Sequence, residues 1–553
     1  MRTSLAAIQR SFLAPWAAAE ASSPYLCYGL FACAVLLYYG LSFNYGIDLD
    51  DEGLLIGGAA AINAGKFPIA DFYSYQPWMY FSLAGFFRLF GTTLITERVF
   101  LIVLLLASSL CVLWLARQVL PAGPSLIPAV FYAAAPGAWY KVFFIFHLLL
   151  VLATLFLFNA RPRPARAFLA GLAAGFALVS RAEAATIAVA LFAGALGLVM
   201  ISDVRVAGRK WGALVGRHLA NIVSYAAGCL LPVAIFAEVY WAAGKLDALL
   251  THLKYTATPI PYEQVITLSG RADVFSPSSL LSNPQLTQWF YGASLIACLA
   301  FFLVNLIAFF RGAGARADVR RKLILAAAAL GSMSYTFFFV WNSRMLSSFA
   351  IVYLAEIALL YQVGTLLAQR SKGLPVAVGS VLLALVVHAF CATNFYSGSI
   401  TMRVLTPGHS THPFLKGMTV DAGQVRSIDM LKKIADADPG AYLVPMSEAT
   451  TMGFLSGLTN PTYYTIFTIG LFGKERQEKA IDTFERLKIK YFVGRSGEFF
   501  AHGAPASDLS AYAPLVRAYL VSHYDIRRLG DSYVLLTRRG SAPPSGGAKA
   551  NAS

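Results

Sequence analysis

Charge is what this chain has least of. Only 13% of its 553 residues are Asp, Glu, Lys or Arg, against about a quarter in soluble domains, and that scarcity excludes an ordinary soluble globule. Cysteine is scarce as well: Cys27, Cys33, Cys111, Cys229, Cys298 and Cys391 all lie in or beside apolar runs. Such placement speaks against a disulfide framework or a metal site and for buried packing. There is no glycine-rich phosphate loop, so no nucleotide site is visible, and no internal repeat.

What is abundant is apolar sequence, 58% of the chain. A helix needs about 20 mostly apolar residues to cross a bilayer, and about eleven such runs are found, near 25–43, 97–116, 124–140, 144–160, 167–180, 184–201, 220–242, 287–310, 323–341, 345–366 and 375–394. A net charge of +16 invites the thought of nucleic acid, but basic charge matters through its location. Here it sits between spans, in "FNARPRPARA", "DVRVAGRKWGALVGRH", "RGAGARADVRRK" and "AQRSKG". Every second loop is basic, which puts those loops and the N-terminus inside and the C-terminus outside. "APWAAAEASSP" precedes the first run, so that run reads as an uncleaved anchor.

This organisation gives a membrane domain over 1–394, with long outward loops at about 44–96 and about 243–286. In the first, "LLIGGAAAINAG" and "PWMYFSLAGFFRLFG" are too short to cross and read as interfacial helices anchored by Trp78, Tyr80 and phenylalanines. Beyond residue 395 charge returns. "AYLVPM", "KYFVGR" and "SYVLLTRR" read as strands and "KERQEKAIDTFERLK" as an amphipathic helix, which predicts an external α/β domain over 395–538 and a disordered tail over 539–553. The fold class is therefore a polytopic α-helical membrane protein with a small C-terminal α/β domain.

Four acids, Asp48, Asp50, Asp51 and Glu52, follow the first span directly, and Gly53 allows a tight turn there. A carboxylate at a membrane surface can accept a proton from a hydroxyl or hold a cation. A solvated loop start is the plain alternative. Adjacent acids point in different directions, which disfavours a metal shell built from this cluster alone.

At these residues the chain resembles a family. "DDEGLLIGGAAAINAGKFPIADFYSYQPWMYFSLAGFFRLFG" is similar to the first external loop of bacterial GT-C glycosyltransferases of the protein-mannosyltransferase and aminoarabinose-transferase type. "GTTLITERV" resembles the segment that follows, with an Arg opening the next span. "GLAAGFALVSRAEAA" resembles the family's glycine-rich span, ending in Arg181 and Glu183, and "PMSEATTMGFLSGLTNPTYY" the start of the external C-terminal domain.

The resemblance implies an inverting transferase that moves a hexose or pentose from a polyprenyl-phosphate donor to an envelope glycan, lipid or protein acceptor. It would work at the outer face of a bacterial cytoplasmic membrane, with no nucleic-acid partner. Asp51 would be the general base and Glu52 would orient it or a neighbour. No cofactor is implied; a divalent cation is possible but not expected to be required. Family members often carry a Lys before the Pro-Pro of this loop to meet the donor phosphate, whereas here the position reads Gln76-Pro77-Trp78. A replacement cation would come from Arg181, Lys141, Lys254 or Arg344. Arg181 leads, because a guanidinium near a span end is expensive without an anion and matches phosphate. Its structural alternative is a pair with Glu183. Tyr75, Gln76 and Trp78 complete the set of donor contacts; Tyr262 and Glu263, in the second long loop, could form an acceptor wall, with a solvated loop as the plainer reading. His147, in "KVFFIFHLLL", reads as an interhelical hydrogen bond. Two other functions remain open: a transporter or flippase of lipid-linked glycans, and an assembly factor.

Overall fold

A computed structural model describes residues 24–41, 43–49, 51–74, 77–134, 142–207, 211–257, 283–312, 317–337, 342–368, 407–408, 412–446, 449–463, 465, 473–496, 499, 509, 513–530 and 533–541. In chain order the helices are α1 (Pro24–Gly40), α2 (Asp51–Asn63), α3 (Trp78–Phe90), α4 (Leu94–Arg117), α5 (Ala122–Ala134), α6 (Val142–Ala160), α7 (Pro164–Leu178), α8 (Ala182–Ala207), α9 (Trp211–Ala242), α10 (Leu246–Ala257), α11 (Asn283–Phe310), α12 (Ala317–Phe337) and α13 (Asn342–Ala368). There follow β1 (Pro407–Gly408), β2 (Val420–Asp421), α14 (Ala422–Ala437), β3 (Leu443–Pro445), α15 (Thr450–Ser456), α16 (Lys474–Arg486), β4 (Tyr491–Arg495), α17 (Pro514–His523), β5 (Tyr524–Leu529) and β6 (Tyr533–Arg538).

Ten of the apolar runs read from the sequence fall on helices over the part of each that is described; residues 135–140, 338–341 and the whole run 375–394 lie outside the described residues. Six helices among the described residues contain segments long and apolar enough to cross a membrane: Leu94–Arg117, Val142–Ala160, Ala182–Val204, Leu214–Ala242, Tyr291–Phe310 and Phe349–Leu366. Large side chains such as Tyr25, Leu37, Leu230, Trp241 and Ile296 stand exposed on α1, α9 and α11. Such an apolar exterior is costly in water and suits lipid. The protein is a polytopic α-helical membrane protein with a small α/β part at its C-terminal end.

Packing divides the chain into two compact units. One draws on 1–41, 101–244 and 266–399; the other on 42–100, 245–265 and 400–553. In the first, helices meet through close backbone approach. A Cβ on Gly171 of α7 would stand 2.0 Å from the Tyr225 carbonyl oxygen of α9, and one on Gly228 of α9 would stand 2.2 Å from the Phe168 carbonyl oxygen. Reciprocal glycines let α7 and α9 touch backbone to backbone, which lipid-immersed helices use because burial from water cannot drive their association. His147 of α6 is buried and engaged at both ring nitrogens, by the Phe143 carbonyl oxygen of its own helix at 2.6 Å and by Ser180 Oγ, in the turn between α7 and α8, at 3.2 Å, so the expected bond between helices is made to a turn instead.

In the second unit, residues 42–100, grouped by the sequence reading with the membrane helices, pack with residues beyond 400. The four-stranded sheet has the order β3-β4-β6-β5; β3 runs parallel to β4 and the other pairs are antiparallel. Its core gathers Phe484, Phe492, Val516, Leu520, Tyr524 and Leu536. β3, β4, β6 and α16 fall on the stretches read from the sequence; α14, α15, α17 and β5 were not read. The tail residues 542–553 lie outside the described residues.

α2 and α3 pair face to face: Met79, Tyr80, Leu83, Ala84 and Phe87 are buried, and Gly58 makes room for the Tyr80 ring, 2.5 Å from where a Cβ would stand. Tyr80 is therefore a core residue rather than an interfacial anchor. The exposed apolar side chains of α3 are Leu89 and Phe90 at its C-terminal end.

Candidate functional site

The acidic stretch lies wholly in the second unit. Residues 43–49 form a non-helical turn, and α2 begins at Asp51. Glu52 does not face water: it is 6% exposed, and its carboxylate is gripped by Arg98, itself 3% exposed, from the first turns of α4. Arg98 Nε donates to Glu52 Oε1 at 2.7 Å and Nη2 to Oε2 at 2.9 Å. This bidentate fork is the strongest ion-pair geometry available to a carboxylate.

The guanidinium is then used to its limit. Nη1 donates to the carbonyl oxygens of Phe43 (2.8 Å) and Tyr45 (3.0 Å), and Nη2 to that of Gly46 (2.8 Å). Glu52 Oε2 also accepts from the Asp48 amide at 2.8 Å. A buried charge is tolerable only when its hydrogen-bonding capacity is filled. Here the filling groups are backbone atoms of the turn itself, so the ion pair fixes the path of residues 43–48 against the start of α2.

A second clamp comes from more than 390 residues away in sequence. Thr451 of α15 accepts from the Gly53 amide through Oγ1 at 2.7 Å, and the same hydroxyl donates to the Asp48 carbonyl oxygen at 2.7 Å. The Thr451 amide donates to the Leu49 carbonyl oxygen at 3.0 Å. Contact is so close that a Cβ on Gly53 would fall 2.0 Å from the Thr451 nitrogen. Thus Gly53 is required for close approach rather than for a left-handed backbone. Beside this clamp, the Gly46 amide donates to the Thr419 carbonyl oxygen at 2.8 Å, and the Thr419 amide to the Asn44 carbonyl oxygen at 2.8 Å.

Further along the loop, Asp71 pairs with Lys245, just before α10. Its Oδ2 also accepts from the Phe67 amide at 2.7 Å. Partial burial pushes the Asp71 carboxyl up, but Lys245 and that amide outweigh it and hold the group below the usual carboxylate range. The Tyr73 amide donates to the Tyr463 carbonyl oxygen at 2.6 Å, and Thr465 bonds the Tyr73 carbonyl oxygen.

The residues nominated from the sequence are distributed as follows. Asp51 and Glu52 are neighbours at the start of α2; the Asp51 side chain lies outside the described residues. Trp78 opens α3 and is half-buried. In the first unit, Arg181 is half-buried in the turn between α7 and α8, and Glu183 is exposed in the first turn of α8. Arg344 is in the first turn of α13 and Lys254 is in α10, their side chains outside the described residues; Tyr75, Gln76, Lys141, Tyr262 and Glu263 also lie outside them. Among the described residues no three His, Cys, Asp or Glu side chains converge as a metal shell. Sequence reasoning missed the roles of Arg98 and Thr451. For Arg98 the available signal was a charged pair, Glu97-Arg98, within an otherwise apolar run; for Thr451 there was none.

Neither a protein-family profile nor a curated protein sequence matches the chain. Solved structures do. The archaeal oligosaccharyltransferase AglB from Archaeoglobus fulgidus, in complex with an inhibitory peptide and a dolichol-phosphate, is 13% identical with a TM-score of 0.49, over 94% of this chain and 74% of that one. ArnT from Cupriavidus metallidurans, bound to undecaprenyl phosphate, is 14% identical with a TM-score of 0.48, over 93% of this chain and 98% of that one. The apo form of ArnT gives 14%, 0.49 and the same coverage. These proteins belong to the class that the first loop resembles, membrane glycosyltransferases of the GT-C superfamily. At such identities and scores the likeness assigns no activity and no residue role to this chain.

Proposed function

We propose that this protein is an inverting glycosyltransferase that takes a sugar from a polyprenyl-phosphate donor and passes it to an acceptor at the outer face of a bacterial cytoplasmic membrane. One observation carries the reading: the backbone around Asp51 is held from two sides, by the buried Glu52–Arg98 pair and by Thr451. A turn merely exposed to water needs no such scaffold. A base that must meet a hydroxyl within a few tenths of an ångström does.

In this reading Glu52 is spent on structure, and Asp51 is the carboxylate left for chemistry. Asp51 accepts the acceptor hydroxyl's proton as its oxygen attacks the anomeric carbon from the face opposite the phosphate. The bond from that carbon to the phosphate oxygen breaks, and the lipid phosphate leaves with the electron pair. The base contributes roughly 10²- to 10⁴-fold, and a cation meeting the departing phosphate adds electrostatic stabilisation. Arg181 is our first choice for that cation, with Lys141 and Arg344 after it; Tyr75, Gln76 and Trp78 are the proposed contacts for the donor sugar, and Glu183 the partner that orients Arg181. The chemistry demands no metal.

The test uses purified protein and a panel of labelled polyprenyl-phosphate sugars. Wild type releases one of these sugars to water or to a membrane extract, and Asp51→Asn does not, with its melting temperature retained. Release by neither protein, with no donor bound, would move the function to transport or assembly.

A further inference from the structure

The second unit contains a cavity that the first loop does not use. It lies between the segment at His412, the C-terminal half of α14 and the end of α15, with a volume of about 160 Å³. Drug-sized ligands occupy pockets of roughly 300–1,000 Å³, so this one is sized for a single small ring.

Its lining is built of two kinds of surface. One wall is apolar and rigid: Phe414 is half-buried, its ring 4.8 Å from Phe454 and 5.6 Å from His412. His412 is 5% exposed and locked, its Nε2 donating to the Leu455 carbonyl oxygen at 2.7 Å while Nδ1 accepts from the Phe414 amide at 3.4 Å. Pro439 faces the same space. The other wall is polar: Lys432 and Asp436, one turn apart on α14, form an ion pair with side chains 38% and 63% exposed. Between the walls Gly457 sits at φ +73°, where a side chain would be strained, and nothing stands within 4 Å of where its Cβ would be.

Charge narrows the ligand. The lining's one cation and one anion neutralise each other, so the cavity offers no net attraction to a phosphate or a carboxylate. It offers instead an ammonium donor and a carboxylate acceptor beside the half-buried Phe414 ring. Vicinal hydroxyls satisfy the first pair, and the C–H face of a pyranose covers the second.

We propose that this cavity is a subsite for one neutral sugar ring of a glycan. Naming that glycan as the acceptor rests on the transfer reaction proposed above; the binding itself does not.

The experiment is saturation-transfer NMR on the full-length protein in detergent, with the methyl glycosides of glucose, galactose and mannose as probes and no donor added. At least one glycoside should receive saturation at its ring protons. Phe414→Ala should weaken that binding at least tenfold and Lys432→Met severalfold, each with an unchanged melting temperature. Lys432→Met keeps the test open if Phe414→Ala does not fold, because its pair is exposed. Excess inorganic phosphate should not compete. No saturation of any glycoside would overturn the proposal. So would binding that is indifferent to both substitutions, or displacement by phosphate. Because the donor is absent, failure here is separable from failure of the Asp51→Asn test.

Discussion

Each of the two units is held together internally by different means. In the first, α7 and α9 touch through Gly171 and Gly228, where any side chain would collide with a carbonyl oxygen at about 2 Å, and α6 is tied in by the bond from His147 to Ser180 and by Asn159, which donates to the Ala317 carbonyl oxygen at 3.1 Å and accepts from Arg320 Nε at 2.8 Å. In the second, the turn at 43–49 and the start of α2 are held by a fully engaged ion pair and a threonine whose hydroxyl serves two backbone groups. Apolar contact is tolerant of small shifts along a helix; a bidentate pair with three further carbonyl partners is not. The lesson is that exact placement has been invested in one turn, and that is where chemistry would need it.

Breaking the pair is the sharpest way to set the units apart. Arg98→Leu leaves the Glu52 carboxylate buried without a counter-ion, which costs roughly 3–5 kcal/mol. Limited proteolysis should therefore cut the 43–74 loop and the region around 451 first, while α6–α9 stay protected. The double variant Glu52→Leu/Arg98→Leu should recover part of that stability, since it removes both charges together.

Steric substitutions sharpen the contrast at a smaller scale. Overpacking costs roughly 1–3 kcal/mol, so Gly53→Ala and Gly171→Ala should each lower the melting temperature measurably. Their consequences should differ: Gly53→Ala forces the start of α2 away from Thr451 and should also reduce sugar release, whereas Gly171→Ala should reduce stability with a smaller effect on rate.

The smallest effect is expected at Asp71 and Lys245. A part-exposed pair of this kind contributes at most about 1 kcal/mol. Because the folded-state carboxyl lies below its ordinary range, its contribution is present above about pH 4 and is lost as pH falls through the lowered value. Protection of the loop from an acid protease should fall over that interval in wild type. In Lys245→Met it should already be lower and should change less with pH.

How far the sequence carried this picture depended on whether a feature was local. The apolar helices, and the two short helices of the first loop as helices, were legible because an apolar run needs only its own residues, and β3, β4 and β6 because buried strands are short and apolar. β5 was missed because "YDIRRL" belongs to an edge strand, where four solvent-facing or half-buried positions dilute the pattern. α14 carried a readable signal that was passed over: Asp421 caps it, with its side chain accepting from the Gly423 amide. The acidic cluster was visible, but its division of labour was not. Glu52 and Asp51 are adjacent and chemically alike, and only the fold shows that Arg98 claims Glu52. The clamp from Thr451 joins residues about 400 apart and leaves no trace in either segment alone.

The measurement that tests the account most directly compares Asp51→Asn and Glu52→Gln side by side, reading both melting temperature and release of labelled sugar from its polyprenyl phosphate. The account predicts that Asp51→Asn melts like wild type and releases roughly 10²- to 10⁴-fold more slowly, whereas Glu52→Gln melts at a clearly lower temperature. Wild-type release by Asp51→Asn would contradict it, as would a Glu52→Gln protein that keeps full stability and loses only its rate.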